Sequence, residues 1–396
     1  MTITTEEASM GTEAVRALIL SGGGGRGAFH AGVYKYLMRN HKVNVDANHV
    51  GAWEPDIIVG TSIGAVNGAA IAQGMSADQL VNVWKSLEEK DIQGLPPGMR
   101  GIARWAAGAI FKEVMDARLP QIAPREATSP TPKEFWPPLP LLPRWIAERL
   151  IGYWINLLDT GPLRNTLFTR FGLDEEKLSA SEKALLIAAT KVRTGERVLF
   201  SNRQVMDHKR GELRRDVFTG ITADRILASC SIPLVYPWTF DPETDSVYWD
   251  GALVANTPLG AAIDMMGEDA NVPAEVVVVM MTPWWESSDP APAKAETEPK
   301  SFGDAITWML DWMLLASFRE NLKMIRAFNE LAAREREESK PPYRYRHVTP
   351  IIVSPLEFLR AERIIDYDGD VSARLIEEGY KAAKHAFEKA FPISQA

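Results

Sequence analysis

Two glycine-rich turns near the N-terminus constrain the fold of this chain more than any other feature. The first turn, from Gly22 to Gly27, directly follows the apolar run Ala17-Leu18-Ile19-Leu20. The second, from Gly60 to Gly64, directly follows Asp56-Ile57-Ile58-Val59. An apolar run that ends in a tight turn and continues into small residues predicts a strand, a turn and a helix. Two such units in succession predict an α/β fold with a mostly parallel sheet.

The second turn carries a candidate nucleophile. Ser62 lies between Gly60 and Gly64, and these glycines remove the Cβ atoms that would clash in a sharp strand-to-helix elbow. A serine on such an elbow exposes its hydroxyl at the top of the sheet. The first turn, on a nearby strand, offers backbone N–H groups to an oxyanion. The two turns together predict a nucleophile and its oxyanion hole.

The first turn also fits a dinucleotide-binding fingerprint. Gly22, Gly24 and Gly27 have the G-x-G-x-x-G spacing, which calls for an acidic residue about 20 positions further on. Asp46 lies near that offset, but its surroundings are short and interrupted by polar residues. The Ser62 elbow on the next convincing strand favours the oxyanion interpretation.

A third motif supplies a candidate partner for the serine. Asp250 follows a predicted strand from Ser246 to Trp249 and precedes Gly251 and Ala252. An aspartate in this position can project from the edge of the sheet toward Ser62. Asp-Gly is also a common turn pair, so this motif is ambiguous on its own.

Taken together, these motifs resemble those of the patatin-like phospholipase family. The glycine-rich loop, the serine elbow and the Asp-Gly-Ala turn match the family pattern in order and spacing, and so does Ala228-Ser229-Cys230-Ser231-Ile232-Pro233. The resemblance covers residues 15 to 80 and 185 to 285 and is loose elsewhere. It implies a three-layer α/β/α fold with a mostly parallel central sheet, to which this chain adds an insertion and C-terminal helices.

The resemblance also implies a mechanism. Ser62 would be the nucleophile and Asp250 the proton acceptor of a serine lipid acyl hydrolase of the phospholipase A, lysophospholipase or esterase type, acting through an acyl-enzyme. No metal and no cofactor would be needed. The oxyanion hole would come from Gly22, Gly23, Gly24, Gly25, Arg26 and Gly27, and the elbow and Asp-turn motifs from Gly60, Gly64, Gly251 and Ala252.

An aspartate with an ordinary pKa of about 3.9 is a weak base for a serine hydroxyl. Asp250 must therefore be desolvated, since burial raises the pKa of a carboxyl group. Tyr236, Trp238, Tyr248 and Trp249 are candidates for the apolar wall around it, and they are equally typical of core aromatics.

Several alternatives remain open at this stage. An acyltransferase would use the same serine and loop but deliver the acyl group to an acceptor other than water. A non-catalytic lipid-binding or scaffold protein is the alternative of a different class. A Ser-Asp-His triad would recruit His347 or His385, which follow Asp250 in the expected chain order. His30, in the first turn of a predicted helix, fits helical packing or a surface role. Arg26 would either orient the glycine-rich loop or meet a lipid phosphate.

The composition of the chain restricts the classes of molecule that it can bind. The chain has 396 residues, 46% of them hydrophobic, which is enough for a large core. A net charge of −8 argues against nucleic acid as a partner and leaves any peripheral membrane contact to apolar side chains. The lone Cys230 excludes an intrachain disulfide and fits a buried, inert thiol. No secretory signal and no apolar run of membrane-spanning length is evident, so we expect a cytoplasmic protein acting on a lipid or acyl-ester substrate.

The predicted organisation is a catalytic domain over residues 15–285, a linker over 286–300 and a helical region over 301–396. Residues 90–162 form an insertion within the catalytic domain that is rich in Pro and Trp. It fits a lid or membrane-contact element, or a packed cap or oligomer contact. The sequence further predicts a central strand near Val276–Met281, an edge strand near Pro350, a helix over Phe302–Glu338 and a closing helix over Val371–Phe391.

Overall fold

The computed structural model describes residues 14–39, 52–94, 158–207, 210–285, 302–357 and 367–391. Most of the predicted insertion, the whole predicted linker and Asp46 lie outside these residues. The division of the chain into domains therefore stays a prediction.

Within the described residues, a nine-stranded sheet has the strand order β11-β10-β1-β2-β3-β4-β7, with β9 paired to β3 and β8 paired to β9. The pairs along β11-β10-β1-β2-β3 and the β4–β7 pair are parallel, whereas β3–β4, β3–β9 and β8–β9 are antiparallel. The prediction of a mostly parallel sheet is confirmed. The strands are β1 Val15–Leu20, β2 Ile57–Thr61, β3 Ala184–Lys191, β4 Arg197–Ser201, β5 Met206–Asp207, β6 Glu212–Leu213, β7 Val217–Thr219, β8 Thr239–Asp241, β9 Ser246–Asp250, β10 Ala274–Val279 and β11 Ile351–Val353, of which β5 and β6 form a separate two-stranded sheet.

Helices cover both faces of the sheet. Side chains alternate along β1, so that Leu18 and Leu20 enter one buried apolar cluster and Ala17 and Ile19 enter the other. This arrangement gives three layers, as the resemblance implied. The α-helices are α1 Ala28–Met38, α2 Ile63–Ala72, α3 Ala77–Ser86, α4 Glu89–Ile92, α5 Gly161–Thr169, α6 Glu175–Ala180, α7 Ala223–Ser229, α8 Leu259–Met265, α9 Phe302–Glu338 and α10 Gly369–Ala390.

The C-terminal helices pack directly on this sheet. Leu315, Phe318 and Leu322 of α9 are buried in the cluster on one face. On the other face, α10 lies so close to α1 that a Cβ on Gly379 would stand 2.2 Å from the Phe29 carbonyl oxygen. Strand β11 begins directly after Pro350 at the edge of the sheet, where a residue without an N–H is tolerated.

Cys230 is a buried free thiol. Within the described ranges, none of the helices combines the length and the apolar character needed to cross a bilayer.

Candidate active site

Ser62 occupies a strained elbow between β2 and α2. Its backbone has φ 56° and ψ −129°, a left-handed φ that a residue with a side chain rarely adopts. The flanking glycines make this turn possible. A Cβ on Gly60 would stand 2.4 Å from the Gly64 carbonyl oxygen, and one on Gly64 would stand 2.2 Å from the Leu20 carbonyl oxygen. The elbow therefore requires glycine on both sides of the serine.

The ends of β2 and β9 meet along one side of β3. Thr61, the last residue of β2, pairs with Ala188, and Asp250, the last residue of β9, pairs with Ala189. Strand β9 runs antiparallel to β3 and β2 runs parallel to it, so the two strands approach each other end to end. This topology brings Asp250 beside Ser62.

The carboxyl group of Asp250 is buried, with 3% of the residue exposed. Its Oδ1 accepts a hydrogen bond of 2.8 Å from the Ala252 N–H, and its Oδ2 has no hydrogen-bond partner. Burial raises the pKa of Asp250 from its ordinary value to about 7, while the nearby Ser62 hydroxyl and the Ala252 N–H act to lower it. The Ser62 hydroxyl thus favours the ionised form of Asp250, although no donor lies at the distance and angle of a hydrogen bond to Oδ2. An aspartate with such a pKa is matched to general-base chemistry near neutral pH.

The glycine-rich loop lies against the same two residues. A Cβ on Gly22 would stand 3.0 Å from the Ser62 Cβ and 3.3 Å from the Ala252 Cβ. One on Gly251 would stand 2.3 Å from the Ala188 carbonyl oxygen. The three predicted motifs therefore come together at one edge of the sheet, and their glycines allow the close approach.

Not every N–H of the loop is available to an oxyanion. The Gly22 N–H donates to Asn256 Oδ1 at 2.7 Å, and the Arg26 N–H donates to the Gly23 carbonyl oxygen at 3.2 Å. Gly24 and Gly25 begin a short 3-10 helix that ends at Gly27, and the first N–H groups of a helix have no acceptor within it. Of the six residues predicted for the oxyanion hole, Gly22 and Arg26 therefore have bonded N–H groups, and Gly23, Gly24 and Gly25, at the start of the turn, are the leading candidate donors.

The side chain of Arg26 points into the protein. It is fully buried, and its guanidinium donates to the Gly23 and Met281 carbonyl oxygens and pairs with Asp311. This burial excludes contact with a lipid phosphate in the described conformation. These contacts with the loop and its surroundings favour the other sequence interpretation, in which Arg26 orients the loop.

His30 is a core residue. Its Nδ1 lies 3.2 Å from the Asn67 Nδ2, which also donates to the Gly27 carbonyl oxygen at 2.9 Å. Burial lowers the pKa of His30 to about 3, so the ring is neutral at ordinary pH. Of the two roles that the sequence suggested for His30, helical packing is the one that the structure has. Asn67 also accepts from Trp84 Nε1 and so joins the end of the loop to α3.

The two histidines considered for a triad lie elsewhere. His347 and His385 line a cavity of about 890 Å³ beside β11 and α10, and its lining includes neither Ser62 nor Asp250. A proton relay from Ser62 through either histidine is therefore not supported by the described arrangement.

The aromatic residues near Asp250 divide between core and surface. Tyr248 is buried and packs edge-on against Phe200, with the ring centroids 5.3 Å apart. Trp238 is 41% exposed. Tyr236 donates its hydroxyl to Gln93 at 2.8 Å. Tyr236 and Tyr248 are therefore core residues, as the plainer sequence interpretation held, whereas Trp249 is only half-buried.

Two supporting residues had no predicted role. Asn256 accepts the Gly22 N–H, and Ser229 Oγ accepts the Ser62 N–H at 2.8 Å while donating to the Ala188 carbonyl oxygen at 2.6 Å. Ser229 lies in a stretch that the family resemblance singled out, whereas Asn256 carries no motif-level signal. Among the described residues, no group of three His, Cys, Asp or Glu side chains could hold a metal ion.

Comparison with known proteins adds context to this geometry. The chain is 25% identical over 248 residues to the cGAMP-activated phospholipase of Vibrio cholerae serotype O1, an alignment that covers 62% of this chain and 55% of that protein. The chain thus spans little more than half the length of this curated relative. Among solved structures, the chain matches VipD of Legionella pneumophila at 12% identity and a TM-score of 0.41, covering 95% of this chain and 67% of that one. The ExoU–SpcU complex of the Pseudomonas aeruginosa type III secretion system gives 13% identity and a TM-score of 0.32, covering 97% of this chain and 53% of the other.

The family assignment comes from a broader match. The model of the patatin-like phospholipase family matches residues 18–263, which include the glycine-rich loop, the Ser62 elbow and the Asp250 turn. With more than half of the chain matched, this protein belongs to the patatin-like phospholipase family.

Proposed function

We propose that this protein is a serine lipid acyl hydrolase in which Ser62 is the nucleophile and Asp250 is the proton acceptor. The observation that carries the proposal is the end-to-end approach of β2 and β9. It sets a strained serine elbow beside a buried carboxyl group whose Oδ2 is unpartnered and whose pKa is raised to about 7. Family membership supports a lipid ester as the substrate class.

In the first half of the reaction, Ser62 Oγ attacks the acyl carbonyl carbon and its proton passes to Asp250 Oδ2. The negative charge that develops on the carbonyl oxygen is met by N–H groups of Gly23, Gly24 and Gly25. The bond to the leaving alcohol then breaks, and Asp250 returns the proton to that alcohol. An acyl ester on Ser62 remains.

In the second half, water attacks this ester and Asp250 accepts a proton from the water. The second tetrahedral intermediate uses the same N–H groups. When it collapses, the bond between the acyl carbon and Ser62 Oγ breaks, Asp250 returns its proton to Ser62 Oγ, and the fatty acid is released. No step needs a metal ion or an organic cofactor.

We propose a peripheral membrane contact through exposed apolar side chains in the two segments that follow Ser229 and Asp250 in the chain. Leu234 is 78% exposed and Trp238 is 41% exposed, both in the segment between α7 and β8, and Val254 at 39% closely follows Asp250. Such side chains lower the free energy of the protein at a lipid interface. A cytoplasmic location stays a prediction.

The decisive experiment is labelling with a fluorophosphonate probe together with a hydrolysis assay. Wild-type protein is expected to be labelled at Ser62 and to release fatty acid from a panel of phospholipids, lysophospholipids and acylglycerols, with products identified by mass. Ser62→Ala is expected to lose both properties while melting cooperatively. Full hydrolysis by Ser62→Ala would remove the proposal. Acyl products that form only when an alcohol or thiol acceptor is added would identify an acyltransferase instead.

A further inference from the structure

Helix α9 lies outside residues 18–263, the part of the chain that matches the family model, yet it contacts the surroundings of the glycine-rich loop at two places. The contacts come from Asp311 and Asn321. Ten residues of α-helix span about 15 Å, so the two contacts are well separated along the helix.

The first contact acts on the last part of the loop. The carboxylate Oδ1 of Asp311 lies 3.2 Å from Nη1 of Arg26, and the two side chains are 3% and 0% exposed. Arg26 in turn donates from Nε to the Gly23 carbonyl oxygen at 3.3 Å and from Nη1 to the Met281 carbonyl oxygen at 3.2 Å. A guanidinium buried this deeply needs a counter-charge, and Asp311 is the carboxylate paired with it in the described structure.

The position of Asp311 is itself fixed. Thr282 donates its hydroxyl to the same Asp311 Oδ1 at 3.1 Å. Thr282 follows Met281, whose carbonyl oxygen accepts from Arg26 and whose side chain would stand 2.5 Å from a Cβ on Gly23. The loop, α9 and the segment that follows β10 therefore share one buried hydrogen-bond network.

The second contact acts on the start of the loop. Asn321 donates from Nδ2 to the Thr257 carbonyl oxygen at 3.0 Å. The preceding residue, Asn256, accepts the Gly22 N–H at 2.7 Å. Asn321 thus supports the backbone that carries the acceptor for the first residue of the loop.

We propose that Asp311 and Asn321 are positioning residues through which α9 holds the oxyanion loop in its working geometry. Four consecutive glycines give this loop more backbone freedom than any other sequence would, so contacts from outside must restrict it. Oxyanion donors act at 2.7–3.1 Å from the developing charge, and a displacement of about 1 Å is enough to lose much of the rate. The proposal rests on the proposed hydrolase function, since it assigns a role within that site.

The test compares Asp311→Asn and Asn321→Ala with a control on the same helix. Asn329→Ala is the matched control for Asn321→Ala, because the Asn329 side chain also forms hydrogen bonds with the backbone. Its partners are the carbonyl oxygen and the N–H of Val348, at 2.8 and 2.9 Å, and not the surroundings of the loop. Hydrolysis of a soluble short-chain chromogenic ester is measured, with active sites counted by exhaustive fluorophosphonate labelling. We expect kcat per active site to fall about 10- to 100-fold in Asp311→Asn and several-fold in Asn321→Ala, with KM nearly unchanged. Asn329→Ala is expected to melt earlier and to keep its kcat.

A second readout does not depend on catalysis. Amide hydrogen exchange of a peptide covering residues 21–28 reports the opening of the Gly22 and Arg26 N–H groups, which are hydrogen-bonded in the folded loop. We expect faster exchange there in Asp311→Asn and Asn321→Ala but not in Asn329→Ala. If wild-type protein hydrolyses no ester, the proposed function fails while this measurement still decides whether α9 restrains the loop.

Unchanged kcat together with unchanged loop exchange in both positioning variants would overturn the inference. If Asp311→Asn does not fold, Thr282→Val takes its place, because it removes only the hydroxyl that fixes Asp311. A lower kcat and faster loop exchange in Thr282→Val and Asn321→Ala would then support the inference, and wild-type behaviour in both would refute it.

Discussion

Asp250 ends its strand directly opposite the strand end that leads into Ser62, and both ends lie along the same side of β3. Parallel strands usually place their functional residues in loops at one edge of the sheet. Here an antiparallel strand enters from that edge and carries the carboxyl group to the serine without a long loop. The hydrogen bonds between β9 and β3 therefore hold the backbone of Asp250 in place, and its carboxyl group is buried.

Because the carboxyl group of Asp250 is buried, we expect Asp250→Asn to lower the activity but to raise the stability of the fold at pH 8. The amide keeps the size of the side chain but accepts no proton, so kcat is expected to fall by about 10³-fold or more. The native pKa of Asp250 lies at about 7, against an ordinary value of 3.8, so the folded protein binds the proton more tightly than the unfolded chain. The contribution of this raised pKa to the stability of the fold is fully present below pH 4 and is lost as the pH rises through 7.

At pH 8 the ionised carboxylate therefore opposes folding, by an amount on the order of 4 kcal/mol for about three pKa units. Asp250→Asn removes this penalty, and we expect it to unfold at a higher denaturant concentration than wild type at pH 8. The difference is expected to shrink at pH 5, where wild-type Asp250 is protonated. Lower stability of Asp250→Asn at pH 8 would contradict the assigned environment of the carboxyl group.

The pH dependence of catalysis provides a separate check. Because ionised Asp250 accepts the proton, kcat/KM for a soluble ester is expected to rise tenfold per pH unit below about 7 and to level off above it. His347→Ala and His385→Ala are expected to keep both the rate and the profile, since these residues line a cavity that excludes Ser62 and Asp250. Loss of the inflection in either histidine variant would replace the two-residue mechanism with a triad.

Local patterns in the sequence were sufficient to predict the parts of the fold that depend on neighbouring residues. The Gly60–Gly64 elbow and the apolar runs of β1 and β10 are local features, and the α/β fold with a mostly parallel sheet that they predicted is confirmed. Partners that meet only in three dimensions could not be predicted. Asn256 and Asp311 are ordinary polar residues 234 and 285 positions away from the loop residues that they bond. Whether each N–H of the loop is available to an oxyanion depends on such partners. The sequence therefore predicted the loop but not which of its N–H groups are available.

The proposed membrane contact predicts different effects on vesicles and on soluble substrate. Leu234→Asp places a charge on a side chain that is 78% exposed, so the fold is expected to be unaffected. Insertion of a leucine side chain into an apolar phase contributes about 1.5–3 kcal/mol, so hydrolysis of phospholipid vesicles is expected to fall about tenfold or more. Hydrolysis of a short soluble ester is expected to stay unchanged. Met324→Asp, at a position 58% exposed on α9, is the control and is expected to affect neither assay. Equal vesicle hydrolysis by Leu234→Asp and wild type would rule out this contact.

The oxyanion loop can be tested through its backbone, with a control elsewhere in the chain that has the same strain. Gly24 has φ +57°, and Gly172, in the turn between α5 and α6, has φ +59° with open space around it. Alanine is strained at both positions and is expected to destabilise the fold by a similar amount, about 1–2 kcal/mol. Only Gly24→Ala shifts candidate oxyanion donors, and the loss of one such donor typically lowers turnover by about 10²- to 10³-fold.

We therefore expect Gly24→Ala and Gly172→Ala to have comparable melting temperatures, with kcat strongly reduced in Gly24→Ala alone. Fluorophosphonate labelling of Ser62 is expected to slow in the same variant, because the phosphonyl oxygen occupies the same position as the oxyanion. A loop that bound a dinucleotide would behave differently. Gly24→Ala would then weaken a measurable dinucleotide affinity and hydrolyse esters at the same rate as Gly172→Ala, and that result would overturn the assignment of the loop.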